Sequence, residues 1–437
     1  MSQKPALAAD IGAPPPDRAA ANARTMLWVL LIVYIFNFLD RQIVNILAEP
    51  IKGELGLSDT ELGLLAGPAF AVFYAVLGIP IARYADKDGT NRVRLIALAL
   101  AIWSAMTAVC GLAQNFVQLL LARIGVGIGE AGCTPAAHSL ITDSVKPEKR
   151  SSAIAFYGMG VPIGSLLGLI IGGIVNDLYG WRIALMLVGV PGLLLALIVL
   201  FVLREPRHLK PVEAAGVARP AQLSTGEAMR EIFNSRAFVY ILIAASVTAF
   251  LGYGKALWTI SFFIRSHGLS TTEAGLAMAV VLGLAGVFGT WFGGKMADIF
   301  GSRDKKHILT FPAYGMAVAA PVLFLGYYME NWLVAVALLI VPTVLNSAYY
   351  GPAYACVQGL VRPQARAVAA SIMLFGQNLI GLGFGPFLFG VLSDMLAPTY
   401  GQESVRYVLY GAAWLGLIPA FFFWRASLRL KAELKSG

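Results

Sequence analysis

Residues 56–89 read GLSDTELGLLAGPAFAVFYAVLGIPIARYADKDG, and residues 268–301 read GLSTTEAGLAMAVVLGLAGVFGTWFGGKMADIFG. The two stretches align without a gap at an offset of 212 residues, and ten of the 34 positions are identical. Each copy contains an apolar run long enough to cross a bilayer. The sequence therefore indicates an internal duplication of membrane-spanning segments, which is the usual construction of proteins whose two halves move about a central site.

The composition of the whole chain is that of a membrane protein. Of 437 residues, 58% are hydrophobic and 13% are charged, whereas about one quarter of the residues in an ordinary soluble domain are charged. Apolar stretches of about twenty residues recur from one end to the other. We predict an all-α membrane protein with twelve transmembrane helices in two pseudo-symmetric six-helix bundles.

Five parts follow from the positions of the apolar stretches. Residues 1–25 lack the basic and apolar pattern of a secretory signal and are expected to form a disordered cytoplasmic tail. A first bundle is predicted at 26–203, a cytoplasmic linker at 204–236, a second bundle at 237–425, and a second cytoplasmic tail at 426–437.

The net charge of +9 follows from topology and does not indicate nucleic acid. If the N-terminus lies inside, 26 of the 33 Lys and Arg residues fall in cytoplasmic segments, four fall outside and three lie within the membrane. This is the distribution that the positive-inside rule describes. Both termini are therefore predicted to be cytoplasmic, in a multi-pass protein of the cell membrane, which is the inner membrane in a bacterium.

Two loops repeat a charged pattern at the same place in each half. The stretch ARYADKDGTNRVR begins at Ala82 and its echo GKMADIFGSRDKK begins at Gly294. Both resemble the loop signature of the major facilitator superfamily, which implies the major facilitator fold. A carboxylate at a helix end can accept hydrogen bonds from a neighbouring helix N-terminus, braced by basic side chains. The gating residues expected from this pattern are Asp86, Arg92, Asp298 and Arg303. The alternative is that these charges only anchor the helix ends at the interface.

Two further stretches resemble the Spinster family, particularly its bacterial members. They are NFLDRQIVNILAEPIKGELGLSDTELGLL from Asn37 and ARIGVGIGEAGCTPAAHSLI from Ala122. Members of that family are linked to proton-dependent movement of lysophospholipids and to export of sphingosine-1-phosphate. The resemblance implies an amphipathic lipid substrate with an anionic or zwitterionic head.

Five ionisable residues are placed deep in the membrane: Asp40, Arg41, Arg123, Glu130 and Lys255. Such groups cost about 2.5 to 3.5 kcal/mol each on insertion scales, so they are functional candidates. Arg123 and Glu130 lie two turns apart on one helix, too far to pair easily, and each can instead meet the first helix. We expect Asp40 and Glu130 to carry protons, and Arg41, Arg123 and Lys255 to bind the substrate. The alternative is a purely structural latch.

Polar residues at helical spacing extend this site. Asn37 and Arg41 lie on one stripe of the first helix, while Tyr350 and Tyr354 lie on one stripe of the tenth. We expect Asn37, Tyr350 and Tyr354 to join the substrate-binding residues. A cavity with one charged and one aromatic wall would suit an amphipathic lipid.

The sequence thus predicts a secondary active transporter of a lysolipid or sphingoid phosphate, working by alternating access and coupled to protons. The first alternative is a proton-coupled carrier of a small soluble organic anion or drug, and another is a non-transporting lipid sensor. No Walker sequence, catalytic constellation or metal-ligand spacing is present. We therefore expect no enzyme activity, cofactor, metal or nucleic acid. The expected partners are the bilayer, protons and the substrate, and the expected state is a monomer.

Overall fold

The computed structural model describes residues 16–87, 89–206 and 225–434. In that part of the chain eleven apolar helical stretches are long enough to cross a membrane, and a 3-10 turn at Gly401–Glu403 divides the last of them in two. The twelve resulting segments are α1 (Pro16–Ile46), α2 (Asp59–Asp86), α3 (Arg92–Cys110), α4 (Phe116–Ser144), α5 (Ser152–Tyr179), α6 (Trp181–Val202), α7 (Arg236–His267), α8 (Thr271–Gly301), α9 (His307–Tyr328), α10 (Trp332–Leu360), α11 (366–400) and α12 (404–433). The predicted fold class is confirmed.

Twelve successive crossings return the chain to the face from which it started. We call this the proximal face, and the opposite one the distal face. The short helix Ala48–Leu55 lies at the distal face between α1 and α2, and a linker helix, Thr225–Asn234, lies at the proximal face. Large apolar side chains on the outside of the bundles, such as Phe201 (84% exposed), face the hydrocarbon.

The repeated Gly-Leu-Ser-x-Thr-Glu sequence begins α2 and α8 in the same way. Gly56 and Gly268 end the preceding helices with φ of 65° and 67°, a left-handed conformation that suits glycine. Ser58 and Ser270 then form capping boxes with the glutamates three residues later, Glu61 and Glu273. The duplication seen in the sequence is therefore a duplication of two helix starts at the distal face.

The winding of α2, α5, α8 and α11 is irregular at one place in each helix. Gly67 interrupts α2 and Met159 interrupts α5. Single π-helical turns occupy Ala279–Leu284 in α8 and Gln377–Phe384 in α11. Such irregular turns weaken the regular hydrogen-bond ladder and are common at functional sites. These are also the four helices through which the two halves meet.

Helices extend into the predicted tails and linker, and the structure differs from the expected disorder at residues 16–25. Residues 16–25 belong to α1 because this stretch is rich in alanine, the best helix former, and begins with a proline that suits a first helical turn. The predicted linker at 204–236 contains the linker helix. The rest of the N-terminal tail and residues 207–224 lie outside the described residues.

At the other end of the chain α12 continues to Glu433, so most of the tail predicted at 426–437 is helical. Glu433 Oε2 accepts hydrogen bonds from Ser235 Oγ at 2.8 Å and from Ala237 N at 3.0 Å. The end of α12 therefore holds the first turn of α7. Residues 435–437 lie outside the described part of the chain.

Candidate functional site

An ion pair between α1 and α4 lies in the interior of the first half. Arg41 Nε donates to Glu130 Oε2 at 2.7 Å, and the side chains are 14% and 0% exposed. Glu130 ends the first regular stretch of α4, where the helix bends at Ala131. The expectation that the α4 carboxylate meets α1 instead of Arg123 on its own helix agrees with this geometry.

Asp40 and Arg123 lie in the same buried cluster, and they are 1% and 3% exposed. Thr107 Oγ1 of α3 donates to Asp40 Oδ2 at 2.5 Å. Arg123 lies close enough to Asp40 and Glu130 to interact electrostatically with both. Two acids and two bases thus balance one another in a space from which water is largely excluded. We call Asp40, Arg41, Arg123 and Glu130 the charge cluster.

Aromatic rings cover the two guanidinium groups. Arg41 Cζ lies 5.0 Å, 4.9 Å and 4.7 Å from the ring centres of Phe38, Phe70 and Tyr74. Arg123 Cζ lies 5.4 Å from the centre of Phe70. At these distances the negative faces of the rings attract the cations. The rings therefore stabilise both arginines where each has only part of its hydrogen-bonding capacity filled by protein.

Three polar atoms of the charge cluster form no hydrogen bond with the described residues. In the described residues Asp40 Oδ1 and Glu130 Oε1 are buried and accept no hydrogen bond, and Arg123 Nε donates none. Buried polar atoms nearly always have partners, so such exceptions point to a ligand, a water or a change of state. Asn37 is 1% exposed and lies beside Glu130. A carboxylate with a free oxygen next to a cation can exchange a proton.

A cavity of about 410 Å³ lies between the halves, within the range of about 300 to 1,000 Å³ for small-molecule sites. It is lined mainly by the second half, including Lys255 and Tyr350, while Gln42 and Ser165 come from the first. Its apolar lining includes Met278, Val281, Leu282, Leu323 and Leu339.

The structure separates the predicted substrate-binding residues into two groups. Lys255 and Tyr350 line the cavity, whereas Asn37, Arg41 and Arg123 are not among its lining residues. Tyr354 lies behind Tyr350, with 4.8 Å between the ring centres. The charged wall expected from the sequence is therefore not part of this cavity lining.

The predicted gating residues of the first half form a network at the proximal face. Ser139 Oγ donates to Asp86 Oδ1 at 3.1 Å. Arg92 is fully buried and binds Glu205 at 2.5 Å, Asp143 at 2.7 Å and Ser139 at 3.1 Å. All of these contacts stay within the first half.

The corresponding residues of the second half differ. Asp298 and Arg303 are exposed, and in residues 225–434 neither side chain forms an ion pair. The repeat in sequence is therefore not matched by a repeat of contacts at the proximal face. A latch role for Asp298 and Arg303 stays a prediction.

At the distal face, by contrast, the halves meet through two matching crossings, α2 with α11 and α5 with α8. The carboxylate of Asp394 accepts hydrogen bonds from Asp59 N at 3.1 Å and Thr60 N at 2.7 Å. The carboxylate of Asp177 accepts one from Thr272 N at 2.7 Å. Each aspartate caps the first turn of a helix from the other half, where the helix dipole favours an anion.

The two crossings correspond residue by residue. A Cβ added to Gly63 of α2 would lie 2.5 Å from Pro386 O of α11, and one added to Gly275 of α8 would lie 2.5 Å from Leu169 O of α5. The offset is 212 between Gly63 and Gly275 and 217 between Leu169 and Pro386. Asp177 and Asp394 are also 217 apart. The duplication has thus produced two equivalent close helix crossings.

Only one of the two crossings carries an ion cluster. Arg265 at the end of α7 binds Glu49 at 2.7 Å and Asp59 at 2.6 Å, and Lys52 also pairs with Asp59. At the other crossing the residue that corresponds to Asp59 is Thr271, whose hydroxyl accepts from Asn176 Nδ2 at 3.0 Å. We call the two aspartate caps and this ion cluster the distal gate. Asp177 and Asp394 were not among the functional residues expected from the sequence.

Known proteins of similar sequence and structure identify the family of this chain. A family model described as Major Facilitator Superfamily matches residues 30–386. A crystal structure of a bacterial homolog to the human lysosomal transporter Spinster, in an inward-facing and unoccupied conformation, superimposes with a TM-score of 0.86 at 31% identity, covering 97% of this chain and 100% of that one. The chain is a Spinster-type transporter of the Major Facilitator Superfamily.

Curated relatives of this Spinster-type transporter agree with that assignment. An MFS-type efflux pump of Mycolicibacterium smegmatis is 33% identical over 407 residues, which cover 93% of each chain. Protein spinster homolog 1 of Xenopus tropicalis is 25% identical over 433 residues, which cover 94% of this chain and 82% of the relative. The transporter is an integral multi-pass membrane protein, and it acts on a small molecule.

Proposed function

We propose that the transporter moves an amphipathic, lipid-like organic anion of the lysolipid or sphingoid phosphate class, and that it couples this movement to protons. The observation that carries the proposal is the pairing of Arg41 with Glu130 at 2.7 Å in a closed charge cluster, beside a separate cavity of about 410 Å³ between the halves. Buried ionisable groups in a membrane usually mark ion or proton paths. The two sites together are what a coupled carrier requires.

Protonation of the charge cluster would remove contacts between helices. A proton on Glu130 would remove the partner of Arg41, and a proton on Asp40 would remove the acceptor for Thr107 Oγ1 and weaken its attraction to Arg123. The four groups come from α1, α3 and α4, so protonation would change how these helices hold one another. In this role Arg41 is a counter-ion, which the ion pair favours over direct recognition of the substrate head.

We assign the alternation between outward-open and inward-open states to the distal gate. Its aspartate caps and its Arg265 ion pairs cross between the halves, whereas ion pairs at the proximal face such as Arg92 with Glu205 and Arg362 with Glu231 do not. This distribution supports a state closed at the distal face and open at the proximal face. With the termini in the cytoplasm, the state is inward-open in the cell membrane.

The cavity supports an amphipathic substrate. Its lining combines Lys255, Asn346 and Gln377 with apolar residues such as Leu323 and Leu339. A site of this kind can hold a charged head and an alkyl chain at once. A second candidate, a small organic anion or drug, is favoured by the similarity to the mycobacterial protein named as an efflux pump.

The proposal is tested by flux in proteoliposomes. Purified transporter is reconstituted with a pH gradient, and accumulation of a lysophosphatidic acid is compared with that of a short dicarboxylate and of a cationic dye. Lipid accumulation that collapses when a protonophore is added supports the proposal. Accumulation of the dicarboxylate or dye alone supports the second candidate, and binding without flux of any probe supports a sensor.

A further inference from the structure

Lys255 occupies an unusual place in the cavity. Among the described lining residues it is the single Lys, Arg, His, Asp or Glu, and the others are apolar, tyrosine, hydroxyl, amide or glycine. It lies on α7, a helix that crosses the membrane from Arg236 to His267. The cavity therefore has one positive charge and no negative one.

The charge of Lys255 has no partner of its own. In residues 16–87, 89–206 and 225–434 no carboxylate forms an ion pair with it, and no hydrogen bond to its ammonium is found. Arg41, the other cation in the middle of the helices near this cavity, is paired with Glu130. An isolated ammonium in a region of low dielectric constant is costly. An anion that enters the cavity would remove that cost.

A second unused donor lies within the wall of the cavity. Gln377 lines the cavity, is 8% exposed, and its Nε2 is buried without an acceptor in the described residues. Gln377 begins the π-helical turn of α11. By contrast, Thr259 and Tyr327, which also line the cavity, bond to each other at 2.8 Å. The cavity therefore offers one cation that its own walls do not use, and an unpaired amide nitrogen lies within the wall.

We propose that Lys255 anchors the head of the substrate, and that the head carries a single negative charge. This inference rests on the proposed function and narrows it. One point charge can compensate one anionic group, whereas a second negative charge would stay uncompensated in the cavity. A phosphodiester or carboxylate head on a single alkyl chain fits this site, and a doubly charged phosphomonoester fits it less well.

The site is separate from the charge cluster. Asp40, Arg41, Arg123 and Glu130 do not line the cavity, so a change at Lys255 should alter substrate affinity and leave the pH dependence of transport in place. Removing an unpaired charge from the membrane interior should also raise the melting temperature of the unliganded protein. If Lys255 stabilised the fold, its replacement would lower the melting temperature.

The experiment compares wild type with Lys255→Met, Lys255→Arg and the exposed control Lys146→Met in lipid nanodiscs and proteoliposomes. The transport probes are lysophosphatidylglycerol, lysophosphatidic acid and lysophosphatidylcholine with the same acyl chain. Binding of decanoate and of uncharged decanol is followed by thermal shift. Loss of one charge-assisted contact should weaken binding about ten- to a hundredfold.

We expect wild type to prefer lysophosphatidylglycerol, and Lys255→Met to lose both that preference and the stabilisation by decanoate while its unliganded melting temperature rises. Lys255→Arg and Lys146→Met should keep the preference. The inference is overturned if Lys255→Met binds decanoate as wild type does, or if it melts at a lower temperature without ligand. If wild type moves none of the lysolipids but its binding of decanoate needs Lys255, the proposed function fails and the anion site stands.

Discussion

Replacing Asp394 by asparagine should open the distal gate. The carboxylate accepts two backbone hydrogen bonds, from Asp59 N and Thr60 N, whereas the amide has one acceptor oxygen and no charge. Charge-assisted hydrogen bonds contribute about 1.5 to 3 kcal/mol net, so one lost bond and one weakened bond should shift the equilibrium between closed and open gate by roughly ten- to a hundredfold. The substitution changes no volume in the crossing.

The shift can be measured as a distance across the distal face. Spin labels at Gln114 of the first half and Glu330 of the second, both exposed, report separation of the halves by double electron–electron resonance, in a background without native cysteines. Asp394→Asn should populate a longer distance, and the partly exposed acid Asp304 of the proximal face, replaced by asparagine, serves as the control. An unchanged distance distribution in Asp394→Asn, and in Asp394→Asn combined with Asp177→Asn, would refute the role of the caps.

Three further outcomes follow from the proximal face and the charge cluster. Asp86→Asn should increase labelling of the proximal face more than Asp298→Asn, because Asp86 accepts a hydrogen bond from Ser139 and Asp298 is exposed; equal effects would contradict this. Arg92→Leu should lower thermal stability strongly, since unpairing a buried ion network costs about 3 to 5 kcal/mol, and a melting temperature like that of wild type would contradict it. Arg41→Lys should move the pH dependence of transport more than substrate affinity, and a change in affinity alone would restore Arg41 as a head-group ligand.

The internal duplication predicted from the sequence rests on short-range chemistry. The repeated Gly-Leu-Ser-x-Thr-Glu motif specifies a left-handed glycine and a capping box, and both copies fold that way because every group involved lies within a few residues. The deep charges were found because ionisable residues are rare in apolar spans. Few cations lie deep enough in the membrane to pair with Glu130. The structure pairs it with Arg41 of α1.

Long-range packing explains what the sequence did not predict. Thr107 reaches Asp40 only because α3 packs beside α1. The rings of Phe70 and Tyr74 cover Arg41 because α2 turns them inward, whereas their spacing along the chain resembles ordinary core. Arg92 was expected to brace a gate, but it is fully buried among groups of its own half. The separation of the cavity from the charge cluster depends on the relative position of whole helices.

The central claim is that protons drive transport through the charge cluster, and proton-driven accumulation against counterflow tests it most directly. Asp40→Asn and Glu130→Gln, with the exposed Glu148→Gln as control, are reconstituted in proteoliposomes and assayed with the best lysolipid substrate. We expect that a pH gradient no longer drives accumulation in either cluster variant, while at least one of them still exchanges substrate in counterflow. Accumulation equal to wild type in both variants would contradict the account.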